Sequence, residues 1–177
     1  MTLDGRIDHT VMIADDEAHL SAIAELDAAD TVIFGRVKYQ LFADSWPAAA
    51  VDPTFPEAMH AYGRTINAKP KIVFSHTLQK AEWENTRLIR EDAAEELTKL
   101  KQLPGGDLLI AASPTLTQSL MDRGVIDEYR LLLHPSVVGS GARFFPEGAW
   151  LNLRLVDSKR FASGIVAITY RPNGKDR

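Results

Sequence analysis

Residues 111–116, Ala-Ala-Ser-Pro-Thr-Leu, join an apolar run typical of a buried strand (108–112) to a predicted helix (115–123). Gly124 follows that helix where a C-cap glycine belongs. A helix N-terminus at the carboxyl end of a buried strand presents unpaired N–H groups and the positive end of the helix dipole. We therefore predict that residues 112–116 face the phosphate of a bound dinucleotide.

Side chains that carry other kinds of catalysis form no recognisable set in this sequence. The five histidines include no pair at the spacing of metal ligands, so no metal site is predicted. The chain has no cysteine, which excludes disulfides, thiolate catalysis and cysteine-ligated metal. Ser119 lacks the sequence of a nucleophile elbow, and hydrolysis by a catalytic triad therefore finds no support.

Length and composition are those of one globular domain with a substantial core, since the chain has 177 residues, 45% hydrophobic and 25% charged. The formal net charge is −4 and the chain has no block of lysine or arginine, which argues against binding to nucleic acid. The sequence also lacks a membrane-length apolar stretch and a signal-peptide pattern. We expect a cytosolic protein.

Strand-like and helix-like patterns alternate along the chain. Strands are predicted at 31–34, 71–74, 83–89, 108–112 and 129–133, with a further extended piece at 9–13. Helices are predicted from Asp15 or Asp16 to 28, at 36–42 (ended by 44–47), at 56–62, from Asp92 to 103 with Glu95 completing a capping box, and at 115–123. Alternating runs at 150–160 and 165–170 flank Ala162-Ser163-Gly164 as a closing hairpin. This order predicts an α/β sandwich with a mixed sheet.

Short motifs occur in a fixed order across nearly the whole chain. They are Thr2-Leu3-Asp4-Gly5; Ala29-Asp30-Thr31-Val32-Ile33-Phe34-Gly35-Arg36 with Tyr39 and Trp46-Pro47; Val73-Phe74-Ser75 with Thr77-Leu78 and Trp83; Gly105-Gly106-Asp107; Ile126-Asp127-Glu128-Tyr129; His134-Pro135; Gly139-Ser140-Gly141; and Phe144-Phe145. In this order they resemble the dihydrofolate-reductase-like superfamily, and most closely the reductase domain of riboflavin biosynthesis (the RibD C-terminal domain family) with its stand-alone relatives. The resemblance implies one domain over residues 1–177, a three-layer α/β/α sandwich with a mixed sheet and a C-terminal hairpin.

The resemblance also implies an NADPH-dependent reductase that transfers hydride to a small planar heterocycle, such as a pterin, a folate or a pyrimidine. Gly35 and Arg36 would hold the adenosine end with its 2′-phosphate, flanked by Ser75 and Thr77. The turn formed by Ala111, Ala112, Ser113, Thr115 and Leu116 would face the pyrophosphate. Thr2, Leu3 and Asp4 would lie near the nicotinamide, with Asp4 as the catalytic candidate, and Trp46, Phe55 and Met59 would wall the substrate pocket. Residues 139–141 would form a loop near the cofactor, and a homodimer through the late strands is plausible for such a family.

Two departures from the family pattern motivate a second hypothesis. The turn at 111–114 reads Ala-Ala-Ser-Pro where the family usually has glycines, and a methyl group there can block the approach of phosphate. The strand that usually precedes Leu-Asp-Gly is shortened, which we expect to lower stability. A reductase-like fold that has lost catalysis and serves as a binding or regulatory module is the alternative.

Plainer interpretations stand beside the functional ones. Arg36 could pair with Asp30 or Asp44 as an ordinary surface arginine. Ser75 and Thr77 could cap a turn, and Asp4 could bond within its own turn. Phe55, Met59 and Tyr62 could belong to the core.

Overall fold

The computed structural model describes residues 1–13 and 15–174. Its helices are α1 (Asp16–Ala28), α2 (Arg36–Ala49), α3 (Glu57–Ala68), α4 (Ala93–Leu100) and α5 (Pro114–Met121), with a 3₁₀ turn at His9–Val11. Its strands are β1 (Ala29–Gly35), β2 (Lys71–Phe74), β3 (Thr86–Ile89), β4 (Asp107–Ile110), β5 (Tyr129–Leu133), β6 (Leu153–Arg160) and β7 (Val166–Pro172). This alternation of strands and helices followed by a hairpin confirms the predicted α/β class.

Residues 19–120 form one compact unit around a four-stranded sheet of order β3-β2-β1-β4, here called the parallel-sheet unit. Each neighbouring pair of strands is parallel. The central strands are β-branched and aromatic and are buried on both faces, as parallel strands require. Their side chains pack with those of α1, α2 and α3 in a core of Leu26, Val32, Phe34, Tyr39, Ile66, Val73 and Trp83.

Residues 1–13, 15–18 and 121–174 form the second unit, here called the hairpin unit, in which β5, β7 and β6 pair antiparallel in that order. Gly164 adopts a φ of +89° in the turn between β6 and β7, a conformation that favours glycine. β5 has the predicted bounds, but its partner is β7 and not β4, the strand that precedes it in the chain. The small core of this unit contains Ala18, Phe161 and Ile165.

Capping contacts confirm the predicted starts of α1 and α4. The carboxylate of Asp15 accepts the N–H of Ala18 over 2.8 Å at the start of α1. Asp92 accepts the N–H of Glu95 over 3.0 Å, as a capping box requires. Gly124, with a φ of +65°, follows α5 in the left-handed conformation of a C-cap glycine.

The predicted end of α2 at residue 42 is wrong, because the helix continues to Ala49 with Pro47 inside it. Packing of the Trp46 side chain compensates for the backbone hydrogen bond that Pro47 cannot donate. The centroid of the Trp46 ring lies 5.7 Å from that of Phe42 and 4.5 Å from that of Tyr62. The N–H of Ala50 then bonds to the carbonyl of Trp46 over 3.1 Å and completes the last turn. Helix α3 likewise continues beyond its predicted end at residue 62.

The extended piece predicted at 9–13 is also wrong, since His9–Val11 forms a 3₁₀ turn. Asp8 causes this turn locally: its carboxylate accepts the N–H of Thr10 over 2.8 Å and the Thr10 hydroxyl over 2.6 Å. Throughout the described part of the chain, every helix is too short or too polar to cross a lipid bilayer.

Candidate functional site

The parallel strands bring three sequence-predicted turns to one edge of the parallel-sheet unit. Gly35 ends β1, Ser75 follows β2, and Ala111 follows β4. Because β2, β1 and β4 are neighbours and run in the same direction, these turns lie at their shared carboxyl edge. In open α/β sheets this edge is where ligands bind.

The turns after β1 and β4 are joined by a hydrogen bond. The N–H of Gly35 donates to the Ser113 hydroxyl oxygen over 3.1 Å, and that hydroxyl donates to the carbonyl of Ala111 over 3.1 Å. Ser113 is buried, so its hydroxyl links the two turns instead of facing solvent. The sequence placed Ser113 in the phosphate-facing turn but gave no indication of this contact.

Helices α2 and α5 both begin at this edge without acidic residues in their first turns. Gly35 is the N-cap of α2 and offers no side chain to its N–H groups. Arg36 and Lys38 instead place two positive charges at the positive end of the helix dipole. That arrangement is unfavourable by itself, and a bound anion would offset it.

Arg36 is exposed and keeps its guanidinium close to its own helix. Nη1 donates to Oε1 of Gln40 over 2.9 Å, one helical turn away. The alternative pairing is not observed, since no ion pair among the described residues joins Arg36 to Asp30 or Asp44. The carboxylate of Asp30 instead accepts the backbone N–H of Gly106.

Lys38 is a cation at this edge that sequence reasoning missed. Its Nζ lies 4.2 Å from the centroid of the Phe42 ring, and partial burial lowers the pKa of the lysine below its usual range. The Lys-x-x-x-Phe spacing on a helix was a signal that could have found it, because residues i and i+4 are neighbours.

Ala112 adopts a φ of +41°, in the left-handed region that favours glycine. The residue is exposed at the start of α5. The turn therefore retains the backbone conformation of a glycine turn although an alanine occupies it. An alanine in this conformation stores about 1 kcal/mol or slightly more of strain.

Ser75 caps the turn that follows β2, as its non-functional interpretation predicts. Its hydroxyl oxygen accepts the N–H of Thr77 over 3.2 Å and the N–H of Leu78 over 2.9 Å. Thr77 is exposed beside it. The hydroxyl proton of Ser75 is not used in these two bonds, so the side chain can still donate to a ligand.

The three predicted substrate-wall residues have different environments. Trp46 packs against the core and contacts the rings of Phe42 and Tyr62. Phe55 lies in the loop before α3 and is 39% exposed, and Met59 is half-buried in the first turn of that helix.

A buried network in the parallel-sheet unit was also missed by the sequence analysis. Lys71, the first residue of the internal strand β2, is 1% exposed, and its Nζ donates to the carbonyls of Ile66, Asn67 and Lys69 at 2.7–2.9 Å. The side chain of Asn67 accepts Nε1–H of Trp83 over 2.9 Å and donates to the carbonyl of Trp46 over 3.2 Å. Burial lowers the pKa of Lys71 to about 8.

In the hairpin unit, the predicted nicotinamide-side residues form a polar cluster of their own. The Thr2 hydroxyl donates to Oδ1 of Asp4 over 2.6 Å, and Oδ2 of Asp4 accepts the N–H of Gly139 over 2.8 Å. These donors, with the Thr2 hydroxyl first, hold the pKa of Asp4 below its usual range. Leu3 is 62% exposed beside them.

Within the described residues, no group of three histidine, aspartate or glutamate side chains is arranged to hold a metal ion. His134 is buried, and its Nδ1 accepts the N–H of Ile13 over 3.2 Å, so its proton resides on Nε2. Burial lowers the pKa of His134, with the positive charge of the N-terminus acting in the same direction.

Comparison with known proteins identifies the family that the chain matches. The family model described as the RibD C-terminal domain matches residues 1–167. The chain is 31% identical over 150 residues to YyaP of Bacillus subtilis (strain 168), an uncharacterized protein, which covers 84% of this chain and 77% of YyaP.

Among solved structures, RibD of Acinetobacter baumannii superposes with a TM-score of 0.66 and 17% identity, over 97% of this chain and 56% of RibD. The diaminohydroxyphosphoribosylaminopyrimidine deaminase/5-amino-6-(5-phosphoribosylamino)uracil reductase of Thermotoga maritima superposes with a TM-score of 0.63 and 14% identity, over 97% of this chain and 54% of that protein. The chain thus spans little more than half the length of these two proteins, and at this identity the likeness is one of fold.

Proposed function

The chain belongs to the RibD C-terminal domain family, and on that premise we propose that it is an NADPH-dependent reductase acting on a small planar heterocycle. The observation that carries the proposal is the joined pair of turns at the carboxyl edge of β1 and β4. There, two helix N-termini meet through the Gly35–Ser113 hydrogen bond, with Arg36 on the first turn of α2.

The residues at this edge fit a phosphate-bearing cofactor. The N–H groups of Thr115 and Leu116 have no acceptor among the described residues outside their own helix, as in the first turn of α-helices generally, and such groups can donate to an anion. A Cβ on Gly35 would lie 3.5 Å from Cβ of Leu116, an ordinary van der Waals contact, which shows how closely the two turns approach each other. We assign residues 111–113, Thr115 and Leu116 to the pyrophosphate.

We assign the 2′-phosphate of the adenosine to Arg36, with Ser75 and Thr77 beside it. A guanidinium suits phosphate because it donates two parallel hydrogen bonds, and the Arg36 side chain leaves only a neutral partner, Gln40, when it turns toward a ligand. The hydroxyl of Ser75 supplies a further donor.

A bound NADPH supplies the hydride, and the protein has to orient the two reactants and exclude water. We assign Thr2, Leu3 and Asp4 to the nicotinamide end, following the family resemblance. Phe55 and Met59 are assigned to the substrate. Trp46 packs against Phe42 and Tyr62 and so supports α3, the helix that carries Met59.

We propose a pyrimidine related to 5-amino-6-(5-phosphoribosylamino)uracil as the first substrate to test. The Thermotoga maritima protein of similar fold carries that reductase in its description. Pterins and folates are the other planar heterocycles to compare with it.

Titration of the purified chain with NADPH, followed by nicotinamide fluorescence, tests the proposal. Saturable binding in the micromolar range is expected, with weaker binding of NADH. Absence of saturation at high micromolar NADPH would contradict the assignment of the cofactor.

The specific observation that favours a second function is the alanine at position 112. Its methyl group occupies a turn whose backbone conformation favours glycine, and close approach of a pyrophosphate is thereby hindered. A reductase-like fold that binds a heterocycle or a partner without catalysis is the alternative. Ligand binding in a chain that never oxidises NADPH, with any of the candidate heterocycles, would favour it.

We further propose a homodimer formed through the hairpin unit. Strand β6 lies at the edge of its sheet, and Leu155 and Val156 are 55% and 40% exposed on it. A strand edge with exposed apolar side chains is suited to pairing with a second copy. Sedimentation equilibrium of the wild-type chain and of a Leu155→Lys variant tests this: the variant is expected to be monomeric.

A further inference from the structure

In the hairpin unit, residues 4–6 hold both ends of the loop at residues 137–141. Asp4 accepts the N–H of Gly139 over 2.8 Å and that of Val138 over 3.4 Å. Arg6 donates from Nη1 to the carbonyl of Gly141 over 2.7 Å. We call these contacts the Asp4–Arg6 clasp.

The backbone on either side of the loop is fixed independently of the clasp. Before the loop, the N–H of Leu3 bonds to the carbonyl of Ser136 over 2.8 Å. After it, the N–H of Ile7 bonds to the carbonyl of Ala142 over 2.8 Å, and the N–H of Phe144 bonds to the carbonyl of Gly5 over 2.9 Å. The side chains of Asp4 and Arg6 therefore hold the loop residues themselves, and the backbone on either side of the loop does not depend on them.

The loop needs such support because of its composition. Gly139 and Gly141 have φ values of +73° and +94°, and both are exposed. Glycine has the largest conformational freedom to lose on ordering, so an exposed loop with two glycines keeps one shape only when other groups hold it.

The contacts of Asp4 require its ionised form. Its two oxygens accept the Thr2 hydroxyl and two backbone N–H groups, while Nε of Arg6 lies 3.9 Å from Oδ2. Each of the two oxygens accepts a backbone N–H, and a backbone N–H cannot accept the hydrogen of a protonated carboxyl, so protonation of either oxygen would weaken one of these contacts. The geometry suits an acceptor and does not suit a proton donor.

We infer that Asp4 is a positioning residue, which holds the loop at 137–141 in the shape that meets the ligand and does not exchange a proton in the reaction. The part that concerns the ligand rests on the proposed function and on the family resemblance, which implies a loop near the cofactor at residues 139–141. The part that concerns the clasp rests on the hydrogen bonds alone.

Hydrogen–deuterium exchange of the full chain without ligand tests the clasp. In Asp4→Ala, the amides of Val138 and Gly139 are expected to exchange roughly tenfold faster or more, because each loses a charge-assisted bond. Asp4→Asn is expected to show a smaller increase, since its amide oxygen can still accept from Gly139. Thr2→Val is expected to give an intermediate increase that adds little to Asp4→Ala, because part of its effect passes through Asp4.

Asp52→Asn is the matched control, because Asp52 also accepts a backbone N–H and a threonine hydroxyl, both of Thr54, and lies in the parallel-sheet unit. This variant should leave exchange at 138–141 unchanged. Unchanged exchange in both Asp4 variants would overturn the clasp.

Binding of NADP⁺ to the same variants tests the ligand part. Asp4→Ala is expected to raise the Kd several-fold. In the wild-type chain, titration of Asp4 should not change the Kd between pH 5 and 8, because Asp4 stays ionised over that range. A loop that loosens without any change in Kd, or a loss of turnover with exchange and Kd unchanged, overturns the positioning role. A wild-type chain that binds no NADP⁺ removes the proposed function and the ligand part together, whereas the exchange result still decides for or against the clasp.

Discussion

The amide of Gly35 donates a hydrogen bond to the hydroxyl of Ser113 over 3.1 Å, although 78 positions separate the two residues in the chain. Each residue ends the strand-to-helix turn of one of two neighbouring parallel strands, β1 and β4. The bond sets the spacing of the N-termini of α2 and α5, and an anion that contacts both depends on that spacing.

Ser113→Ala is expected to lower the free energy of unfolding by about 1–2 kcal/mol and to weaken NADP⁺ binding, because the Gly35 N–H loses its acceptor. Urea denaturation and cofactor titration measure the two effects. Ser119→Ala on the same helix is the control, since the Ser119 hydroxyl only bonds back to the carbonyl of Leu116. Equal effects of the two variants would contradict a special role for Ser113.

Arg36→Ala is expected to weaken NADPH roughly 10- to 100-fold and to leave NADH nearly unchanged, because only NADPH carries the 2′-phosphate that a charged donor would contact. Parallel titrations with both cofactors measure the difference. Arg64→Ala removes another exposed arginine of the same unit, one paired with Glu57, and should alter neither affinity. A uniform loss for NADPH and NADH would move the 2′-phosphate away from Arg36.

Ala112→Gly is expected to raise the free energy of unfolding by up to about 1 kcal/mol, because relief of the left-handed alanine outweighs the larger entropy of glycine in the unfolded chain. Ala111→Gly should be destabilising instead, because Ala111 has no left-handed strain to relieve, its methyl group packs against the core, and glycine has more conformational freedom to lose on folding. If Ala112→Gly also tightens NADP⁺, the methyl group limits cofactor affinity. A stability gain without tighter binding would mean that the methyl group does not hinder the cofactor, which would remove the observation that favours the non-catalytic alternative.

Gly63→Ala is expected to lower the free energy of unfolding by about 1–2 kcal/mol, although alanine is the better helix former. A Cβ at this position would lie 3.0 Å from Cα and N of Ala50, which are backbone atoms and cannot move without shifting the chain beyond α2. Thermal unfolding measures the loss. Gly35→Ala is the comparison for packing, because its Cβ would make an ordinary contact at 3.5 Å and should leave the Tm nearly unchanged.

The lowered pKa of the buried Lys71 leads us to expect an unusual dependence of the free energy of unfolding on pH. Its pKa falls from 10.5 to about 8 on folding, so between these values the unfolded chain binds more protons than the folded one. The free energy of unfolding therefore rises with pH over this window, by at most about 3 kcal/mol from this group. Below pH 8 that contribution is absent, because the lysine is charged in both states.

Urea denaturation of the wild-type chain and of Lys71→Met between pH 7.5 and 10.5 isolates this contribution as their difference. The difference should grow in favour of the wild type as the pH rises. The opposite slope would mean that the three carbonyl bonds to Nζ outweigh the desolvation of the ammonium group.

Local patterns were sufficient to locate most elements. The bounds of β2 and β5 agree with the predicted runs at 71–74 and 129–133, because apolar residues flanked by polar ones determine where a buried strand can extend. Capping residues did the same for α1 and α4, since a cap acts within three or four residues of its own position.

The wrong prediction for the end of α2 depended on packing between elements. Helix α2 passes through Pro47 because Trp46 packs against Tyr62 of another helix. The local sequence likewise does not identify the partner of β5, which is β7, a strand more than 30 residues further along the chain.

The sequence by itself indicated the α/β class and the residues that follow the parallel strands, because these follow from periodicity. The order of its motifs resembles the RibD C-terminal domain family, to which the chain belongs. Only the tertiary structure decided what the polar side chains do. Ser113 bonds to Gly35, Asp4 to Gly139, and Lys71 to the end of α3, and each partner is set by strand order and register. A hydrogen bond needs its two atoms within about 3 Å, and sequence spacing does not encode that distance once the chain has turned back on itself.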